Sequence, residues 1–147
     1  MKTVVVIPAR YASQRFPGKP LHLINGVSML TRTVRAAQLA GQATGASVLV
    51  ATDDDRIAAH AKDIGVASVM TDPDLPSGSD RVHAALQSFD PSGRFDTVVN
   101  LQGDMPTMPH ADLARAVHAL RAGGDIATLV SPSNDPADRD NPNVVKA

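Results

Sequence analysis

The sequence predicts an α/β fold, a Rossmann-like layered sandwich built on a mainly parallel sheet. Several short runs are almost wholly aliphatic and bounded by turn-forming residues, the pattern of strands buried on both faces of a parallel sheet. Between these runs, apolar residues recur three and four positions apart, as one face of a helix requires. Because strand and helix alternate with short links, we expect right-handed crossovers and a single domain over residues 1–147.

Five segments carry the strand pattern. The first is a β-branched run that ends at Pro8. A proline at that point ends the aliphatic run and begins a loop. The predicted strands are residues 4–7, 47–52, 66–70, 96–101 and 125–131.

Four helices are predicted between the strands, each from one apolar stripe. The stripes are Val27, Leu30, Val34 and Ala37; Ile57, Ala61 and Ile64; Val82, Leu86 and Phe89; and Leu113, Val117 and Leu120. The second helix also has end signals, because Asp53 and Asp54 are candidate N-caps and Gly65 is a candidate stop.

Composition excludes several classes of protein. The 147 residues include no cysteine, which excludes disulfides, thiolate zinc sites, iron–sulfur clusters and cysteine nucleophiles. A net charge of −1, with one tyrosine, three phenylalanines and no tryptophan, argues against a nucleic-acid partner. The aliphatic run at residues 4–7 is too short for a signal peptide or membrane span, so we expect a cytoplasmic protein without a membrane partner.

The loop after the first strand is the first candidate site, since ligands of open α/β sheets bind beyond the carboxyl ends of the strands. It contains Arg10, Arg15 and Lys19 and no acidic residue. Pro17-Gly18 suits a type II turn that folds Lys19 back toward the sheet. Guanidinium, ammonium and backbone N–H groups in such a loop suit a polyphosphate. The alternative is a solvated basic loop. The sequence has neither a Walker A pattern nor G-x-G-x-x-G, which excludes P-loop ATPases and dinucleotide dehydrogenases.

A second candidate site follows the predicted strand 96–101. Gly103 permits close approach of the backbone to a ligand, and Asp104 delivers one carboxylate to the same sheet edge. One carboxylate together with phosphate oxygens is a common way to hold Mg²⁺. The alternative makes Asp104 a turn former or a cap for the following helix.

A third candidate site is the turn of small residues at 76–82, which opens the third predicted helix. A helix N-terminus favours anionic or hydrogen-bonding ligands, so a nucleotide would fit there. Plain N-capping by Ser79 or Asp80 is the alternative.

Five blocks in this order resemble a known family. Residues 7–21 match the pattern I-P-A-R-x-x-S-x-R-x-P-G-K-P-L, and the other blocks are A-T-D at 51–53, S-G-S-D-R at 77–81, N-L-Q-G-D at 100–104 and N-P-N-V-V-K at 141–146. On these blocks the chain resembles the N-terminal part of the 3-deoxy-manno-octulosonate (Kdo) cytidylyltransferases, also called CMP-Kdo synthetases. The resemblance implies a fold of the nucleotide-diphospho-sugar transferase type.

The family joins Kdo, an acidic sugar of bacterial lipopolysaccharide, to CMP from CTP, with Mg²⁺ as cofactor and pyrophosphate as the second product. The resemblance therefore implies CTP and Kdo as substrates and assigns roles to residues at matching positions. Implied as catalytic are Arg10, Lys19 and Asp104; as nucleotide-binding Arg10, Ser13, Arg15, Lys19, Ser77, Gly78, Asp80 and Arg81; as sugar-binding Gln102; and as metal-binding Asp104.

The sequence departs from the family pattern in two ways. Met105 stands where the family has glutamate, which removes a carboxylate beside Asp104. Family members are also longer, and their remaining part brings a second Mg²⁺-binding aspartate, most of the Kdo pocket and a dimer interface. We therefore expect a fold that is incomplete at its C-terminus, with residues 141–147 entering a new strand, and a full-length form that is a homodimer.

Two alternative functions remain at this point. The first loop would also fit another sugar nucleotidyltransferase, such as the spore-coat polysaccharide type. The chain by itself would also suit a non-catalytic nucleotide-binding fragment. The blocks at 100–106 and 141–146 favour the Kdo enzyme.

Overall fold

A computed structural model describes residues 1–12, 16–142 and 144 of the protein. The elements in chain order are β1 (Thr3–Ala9), a short 3-10 helix (Lys19–Leu21), β2 (Leu23–Ile24), β3 (Val27–Ser28), α1 (Met29–Thr44), β4 (Ser47–Thr52), α2 (Asp55–Asp63), β5 (Ala67–Met70), α3 (Gly78–Phe89), β6 (Thr97–Asn100), α4 (His110–Arg121) and α5 (Pro136–Asp140).

The predicted parallel sheet is confirmed. Four strands pair in the order β5-β4-β1-β6, and each neighbouring pair is parallel. In the centre of the sheet, Val6 lies opposite Leu49 on one side and Asn100 on the other. The strands predicted at 4–7, 47–52, 66–70 and 96–101 all form, and each end lies within two residues of the predicted one.

Side chains of β1 alternate between the two faces of the sheet. Val5 and Ile7 pack into a core shared with α1, α2 and α4, while Val4 and Val6 pack against α3 on the other face. All four are at most 1% exposed. A strand buried on both faces needs this continuous aliphatic run, which explains why β1 shows no polar alternation. The layered α/β sandwich is therefore confirmed.

The four predicted helices form, with one change at the start of α1. Val27 lies in β3, and the helix begins at Met29 with Ser28 as its N-cap. β2 and β3 form a small antiparallel hairpin that was not predicted. Its turn is Asn25-Gly26, with φ of 50° and 75°, the dipeptide that a type I′ turn favours.

The ends of α2 follow the prediction. The Asp54 carboxylate accepts a hydrogen bond from the backbone N–H of Arg56, and Gly65 has a φ of 72°. Of the two candidate caps, Asp54 therefore takes the role, and Asp53 is left for another contact.

The strand predicted at 125–131 is wrong. This segment forms no strand, and Ile126 and Val130 are 89% and 69% exposed. It lies beside β6 and α4 across a cavity of about 490 Å³. β-branched residues favour strands where they pair with a neighbouring backbone and bury one face. Here the cavity separates the segment from β6, and its apolar side chains stay exposed.

The end of the chain is described only in part. The predicted turn is present at Asn141 and Pro142, whereas Asn143 and residues 145–147, with the predicted new strand, lie outside the described residues. No helix in the described ranges is both long and apolar enough to cross a bilayer.

Candidate functional site

The candidate site lies at the edge of the sheet where all four parallel strands end. Arg10 follows β1, Asp53 follows β4, Thr71 follows β5 and Leu101 follows β6. This edge is the place at which an open α/β sheet binds ligands.

A cavity of about 220 Å³ at this edge brings together residues from two separate loops. Lys19 Nζ and Asp104 Oδ2 are 2.7 Å apart within it. Both side chains remain accessible, at 36% and 52% exposed. The lining residues are Pro8, Ala9, Arg10, Lys19, Pro20, Met29, Gln102, Gly103 and Asp104. The cavity therefore combines two cationic side chains, one carboxylate and one amide.

The turn that places Lys19 is the predicted type II turn. The Lys19 N–H donates to the Phe16 carbonyl at 3.2 Å, and Gly18, with a φ of 70°, occupies the position that requires a positive φ. The Gly18 N–H donates to the Tyr11 carbonyl at 2.9 Å, which closes the loop at its base. A Cβ on Gly18 would lie 3.1 Å from the Tyr11 ring, a tight contact that adds to the preference for glycine set by the positive φ.

Arg56 supports this loop from α2. Its guanidinium lies 3.3 Å from the centre of the Tyr11 ring and also pairs with Asp54. The hydrogen bond from Arg56 holds the pKa of Asp54 below its usual value. Arg56 was not predicted as a site residue, and its position within the first turn of α2 is the one sequence signal that points to it.

Gly103 brings the Asp104 loop against β1. A Cβ at Gly103 would lie 2.8 Å from the Pro8 carbonyl oxygen, closer than real Cβ contacts. The Gly103 carbonyl accepts a hydrogen bond from the Thr33 hydroxyl of α1 at 3.3 Å. The predicted close approach is thus made to the chain's own backbone, and it sets Asp104 beside Lys19. Asp104 does not cap α4, whose N-cap is Pro109.

Gln102 is linked to α3 by a chain of side-chain hydrogen bonds. Its amide donates to Asn100 Oδ1 at 2.8 Å, and the Asn100 amide donates to Ser79 Oγ at 3.3 Å. A Cβ on Gly78 would lie 3.3 Å from Gln102 Oε1. The β6 loop and the N-terminus of α3 therefore form one continuous polar surface.

The capping prediction at α3 is wrong in its residue. Ser77 is the N-cap, and its hydroxyl accepts from the Asp80 N–H at 3.1 Å. The same hydroxyl lies 2.5 Å from Asp80 Oδ2. Ser79 and Asp80 lie two and three residues beyond the cap position, because α3 begins at Gly78 and its N-cap is Ser77.

Arg81, the last residue of the third block, is buried with its side chain 0% exposed. It pairs with Asp53, which follows β4, and donates to the Thr71 hydroxyl. Its donors therefore face the protein interior.

The structure thus places the sequence-predicted site residues in three groups. Arg10, Lys19, Gln102 and Asp104 line the cavity; Ser77, Gly78 and Asp80 form the neighbouring helix N-terminus; and Arg81 is buried behind them. Ser13 and Arg15 lie outside the described residues. The roles that the resemblance implies for all of these residues stay predictions.

Asp104 is the acidic residue of the cavity. Within residues 1–12, 16–142 and 144, no group of three or more His, Cys, Asp or Glu side chains is placed to hold a metal ion. One accessible carboxylate between two cations suits a hard cation that arrives with substrate phosphates, since Mg²⁺ keeps several waters and takes few protein ligands. The donor set is therefore compatible with Mg²⁺ bound together with a nucleotide.

Residues 4–147 match the family model described as Cytidylyltransferase. The 3-deoxy-manno-octulosonate cytidylyltransferase of Rhodospirillum rubrum is 51% identical over 146 residues, which cover 98% of this chain and 57% of that protein. The chain thus spans a little over half the length of this curated relative. These names favour neither a spore-coat nucleotidyltransferase nor a non-catalytic fragment.

Solved structures show the same fold. CMP:2-keto-3-deoxy-manno-octonic acid synthetase, in complex with CTP, aligns with a TM-score of 0.73 at 37% identity over 83% of this chain and 48% of that one. A protein from Desulfovibrio desulfuricans G20, described as a nucleotide-diphospho-sugar transferase, aligns with a TM-score of 0.52 at 22% identity over 82% of this chain and 55% of that one, which bears on the fold alone. The family match covers residues 4–147, and it agrees with the five ordered sequence blocks and with the polar loops at the ends of the parallel strands. The chain therefore belongs to the cytidylyltransferase family.

Proposed function

We propose that the full-length gene product transfers CMP from CTP to Kdo and releases pyrophosphate. The observation that carries the proposal is the cavity at the sheet edge, where Arg10, Lys19, Gln102 and Asp104 meet although they come from two distant loops. The names of the relatives support CTP and Kdo as the substrates.

The cationic residues of the cavity would bind the triphosphate. Arg10 is exposed immediately after β1. Its Nη1 donates a long and therefore weak hydrogen bond to the Leu75 carbonyl, at 3.4 Å. Lys19 is held on a rigid turn. A charge-assisted hydrogen bond to phosphate contributes about 1.5–3 kcal/mol, so these two side chains would supply a large part of the affinity. Arg15 and Ser13, in the same block, would complete the loop.

The Lys19–Asp104 ion pair would be exchanged when the nucleotide binds. Both side chains are accessible, and an exposed ion pair contributes only about 0–1 kcal/mol, so it costs little to break. Lys19 then turns to the phosphate oxygens, and the carboxylate of Asp104 becomes available to a cation. Before the nucleotide binds, the ammonium of Lys19 and the carboxylate of Asp104 neutralise each other.

Asp104 would hold Mg²⁺ in the loaded site. The ion supplies neutralisation of charge on the phosphoryl oxygens and the departing pyrophosphate. Met105, which follows Asp104 and is 37% exposed, has a thioether side chain. It therefore adds no second carboxylate beside Asp104.

The reaction joins a sugar hydroxyl oxygen to the α-phosphorus of CTP. The bond from that phosphorus to the bridging oxygen breaks, pyrophosphate leaves with its electron pair, and the hydroxyl loses its proton. Such a transfer depends mostly on positioning and on neutralised charge. Gln102, whose amide is oriented by Asn100, would position the sugar, while Ser77, Gly78 and Asp80 would border the nucleotide.

The assignment is tested with the full-length gene product, Kdo and each of the four nucleoside triphosphates. We expect Mg²⁺-dependent release of pyrophosphate with CTP that requires Kdo, and CMP-Kdo as the second product. Equal rates with all four nucleotides, or release that is independent of Kdo, would contradict it. Light scattering on the same sample tests the expected homodimer.

A further inference from the structure

Arg81 is the largest fully buried side chain of the described protein. It lies in the first turn of α3 and has no exposed surface. A charged side chain is almost never buried in this way unless it is paired. Its contacts therefore define what the residue does.

The guanidinium of Arg81 ties α3 to the ends of two strands. Nη2 donates to Asp53 Oδ2 at 2.9 Å, directly after β4. Nη1 donates to the hydroxyl of Thr71, directly after β5. The Thr71 hydroxyl in turn donates to the Thr52 carbonyl at 3.0 Å, and the Thr71 N–H donates to the same carbonyl at 2.8 Å.

These contacts fix both ends of one loop. Residues 71–77, called here the 71–77 loop, begin at Thr71 and end at Ser77, the N-cap of α3. Arg81 holds the first end directly and the second end through the first turn of its own helix. Arg10 Nη1 reaches the Leu75 carbonyl in the middle of the loop at 3.4 Å. The loop therefore spans the distance between the buried pair and the cation that borders the cavity.

A buried ion pair is a poor means of gaining stability. Removing two charges from water costs about as much as their attraction returns, and apolar residues of similar volume often stabilise a protein equally well. Burial lowers the pKa of Arg81, Asp53 opposes that shift, and the nearby positive charge of Arg10 adds to it. Arg81 Nε is also buried without a hydrogen-bond partner in the described residues. The Arg81–Asp53 pair therefore fixes the positions of the segments it joins and adds little to the free energy of unfolding.

We propose that Arg81 and Asp53 are positioning residues, which hold the 71–77 loop and the N-terminus of α3 in place for the nucleoside part of the substrate. The proposal rests on the proposed function and changes one detail of the family-based expectation. In place of contacting the nucleotide, Arg81 acts on it through the loop.

The test compares three ligands on the full-length gene product. Calorimetry measures binding of CTP, CMP and cytidine to the unmodified protein, to Arg81→Lys and to Asp53→Asn. Lysine keeps the charge but replaces the two guanidinium nitrogens that bind Asp53 and Thr71 with a single ammonium nitrogen. Asparagine keeps an acceptor but loses the charge. Misplacing a binding surface costs roughly 10- to 100-fold, so we expect all three ligands to weaken by a similar factor in that range. KM for CTP should rise by the same factor, with a smaller change in kcat.

A contact between Arg81 and phosphate would give a different result. CTP binding would then fall much more than cytidine binding, and that outcome overturns the proposal. Unchanged affinity for all three ligands in both variants also overturns it. If the unmodified protein binds none of the ligands, the proposed function fails instead.

Hydrogen exchange provides a readout without ligand. In Arg81→Lys we expect faster exchange of the backbone amides in the 71–77 loop, at an unchanged rate in β1. Arg94→Lys is the matched control, because Arg94 pairs with the buried Asp90 at the far end of α3. It should leave both the loop and the affinities as they are. If the 71–77 loop exchanges at the same rate in Arg81→Lys as in the unmodified protein, the positioning role is contradicted. If Arg81→Lys does not fold, Asp53→Asn provides the same comparison.

Discussion

The Lys19–Asp104 ion pair joins residues that are 85 positions apart in the chain. Lys19 depends on the positive φ of Gly18, and Asp104 depends on the missing Cβ of Gly103. Each charged residue is thus placed by the glycine that precedes it. At the residue scale, the site depends as much on backbone conformation as on the charged groups themselves.

Asp104→Asn should abolish most activity without unfolding the protein. Asparagine keeps the shape and a hydrogen-bond acceptor, but it removes the charge that a hard cation prefers. Because the ion pair to Lys19 is exposed, its loss should change the free energy of unfolding by no more than about 1 kcal/mol. Pyrophosphate release across a Mg²⁺ titration and thermal melting measure the two effects.

Asp112→Asn is the matched control, since Asp112 also forms an accessible ion pair, with Arg115 on α4. It should retain activity. An Asp104→Asn protein that melts early and keeps its Mg²⁺ dependence would make Asp104 a turn residue only.

Asp90 should make stability depend on acidic pH. Its carboxylate accepts hydrogen bonds from Arg94 Nε and from the Phe95 N–H, each at 2.9 Å. The bond from Arg94 holds the pKa of Asp90 below its usual value. A carboxyl group whose pKa is lower in the folded chain stabilises the fold above the unfolded pKa of about 3.9, and this contribution is lost as the pH falls through the folded pKa.

We therefore expect the free energy of unfolding to fall below about pH 4, and to fall less steeply in Asp90→Asn. Urea unfolding at a series of pH values measures the slope. Arg94→Ala, which removes the guanidinium donor, should flatten the same part of the curve. An unchanged slope in both variants would contradict the role of this pair.

At the scale of elements, the contact between β1 and the loop after β6 is the tightest part of the site. The pairing of β1 with β6 ends at Val6, opposite Asn100, and two residues further along β1 the Pro8 carbonyl oxygen meets Gly103. The Thr33 hydroxyl of α1 holds the Gly103 carbonyl from the other side. Three elements therefore meet at one glycine, and a small displacement there moves Asp104 relative to Lys19.

Gly103→Ala should weaken both stability and nucleotide binding. The added Cβ would lie 2.8 Å from a backbone oxygen, so the loop must move. Overpacking of this kind costs about 1–3 kcal/mol. Urea unfolding and CTP calorimetry measure the two losses. Gly41→Ala is the control, since its Cβ would meet the Ala46 carbonyl at 2.5 Å, remote from the site. It should lose stability alone, and equal loss of CTP affinity in both variants would contradict the local explanation.

At the scale of the whole molecule, β6 is one of the two edge strands of the four-stranded sheet. Among the described residues β6 pairs with β1 alone, and its other side faces the cavity beside residues 125–129. Ile126, Leu129 and Val130 are exposed nearby. An open strand edge next to exposed apolar side chains favours pairing with another chain.

The 147-residue chain should therefore self-associate as its concentration rises. Ile126→Lys should reduce the association, because a charge beside the open edge opposes pairing. Leu39→Lys, at an exposed position of α1, should not. Size-exclusion chromatography with light scattering measures the mass over a range of concentrations. A monomer at every concentration, or equal effects of the two variants, would contradict this prediction.

The amino-acid sequence alone determined the class of fold and, to within two residues, the ends of the four parallel strands. The aliphatic run of β1, the cap at Asp54 and the Pro17-Gly18 turn are local signals, and local backbone preference was enough to predict them. The five blocks also predicted the cytidylyltransferase family, which the match over residues 4–147 confirms. Asn25-Gly26 was a readable signal for the hairpin that was missed.

Tertiary structure decided the rest, because those features depend on which distant segments meet. The apolar pattern at 125–131 could not reveal that a cavity separates this segment from β6 and that it pairs with no strand in the described structure. The sequence placed Arg81 at a helix N-terminus, where a nucleotide-binding role and burial are both possible; only the packing of α3 across the ends of β4 and β5 turned it inward onto Asp53 and Thr71. The physical reason is that strand pairing and charge burial are settled by partners far away in the chain, whereas turns and caps are settled by neighbours.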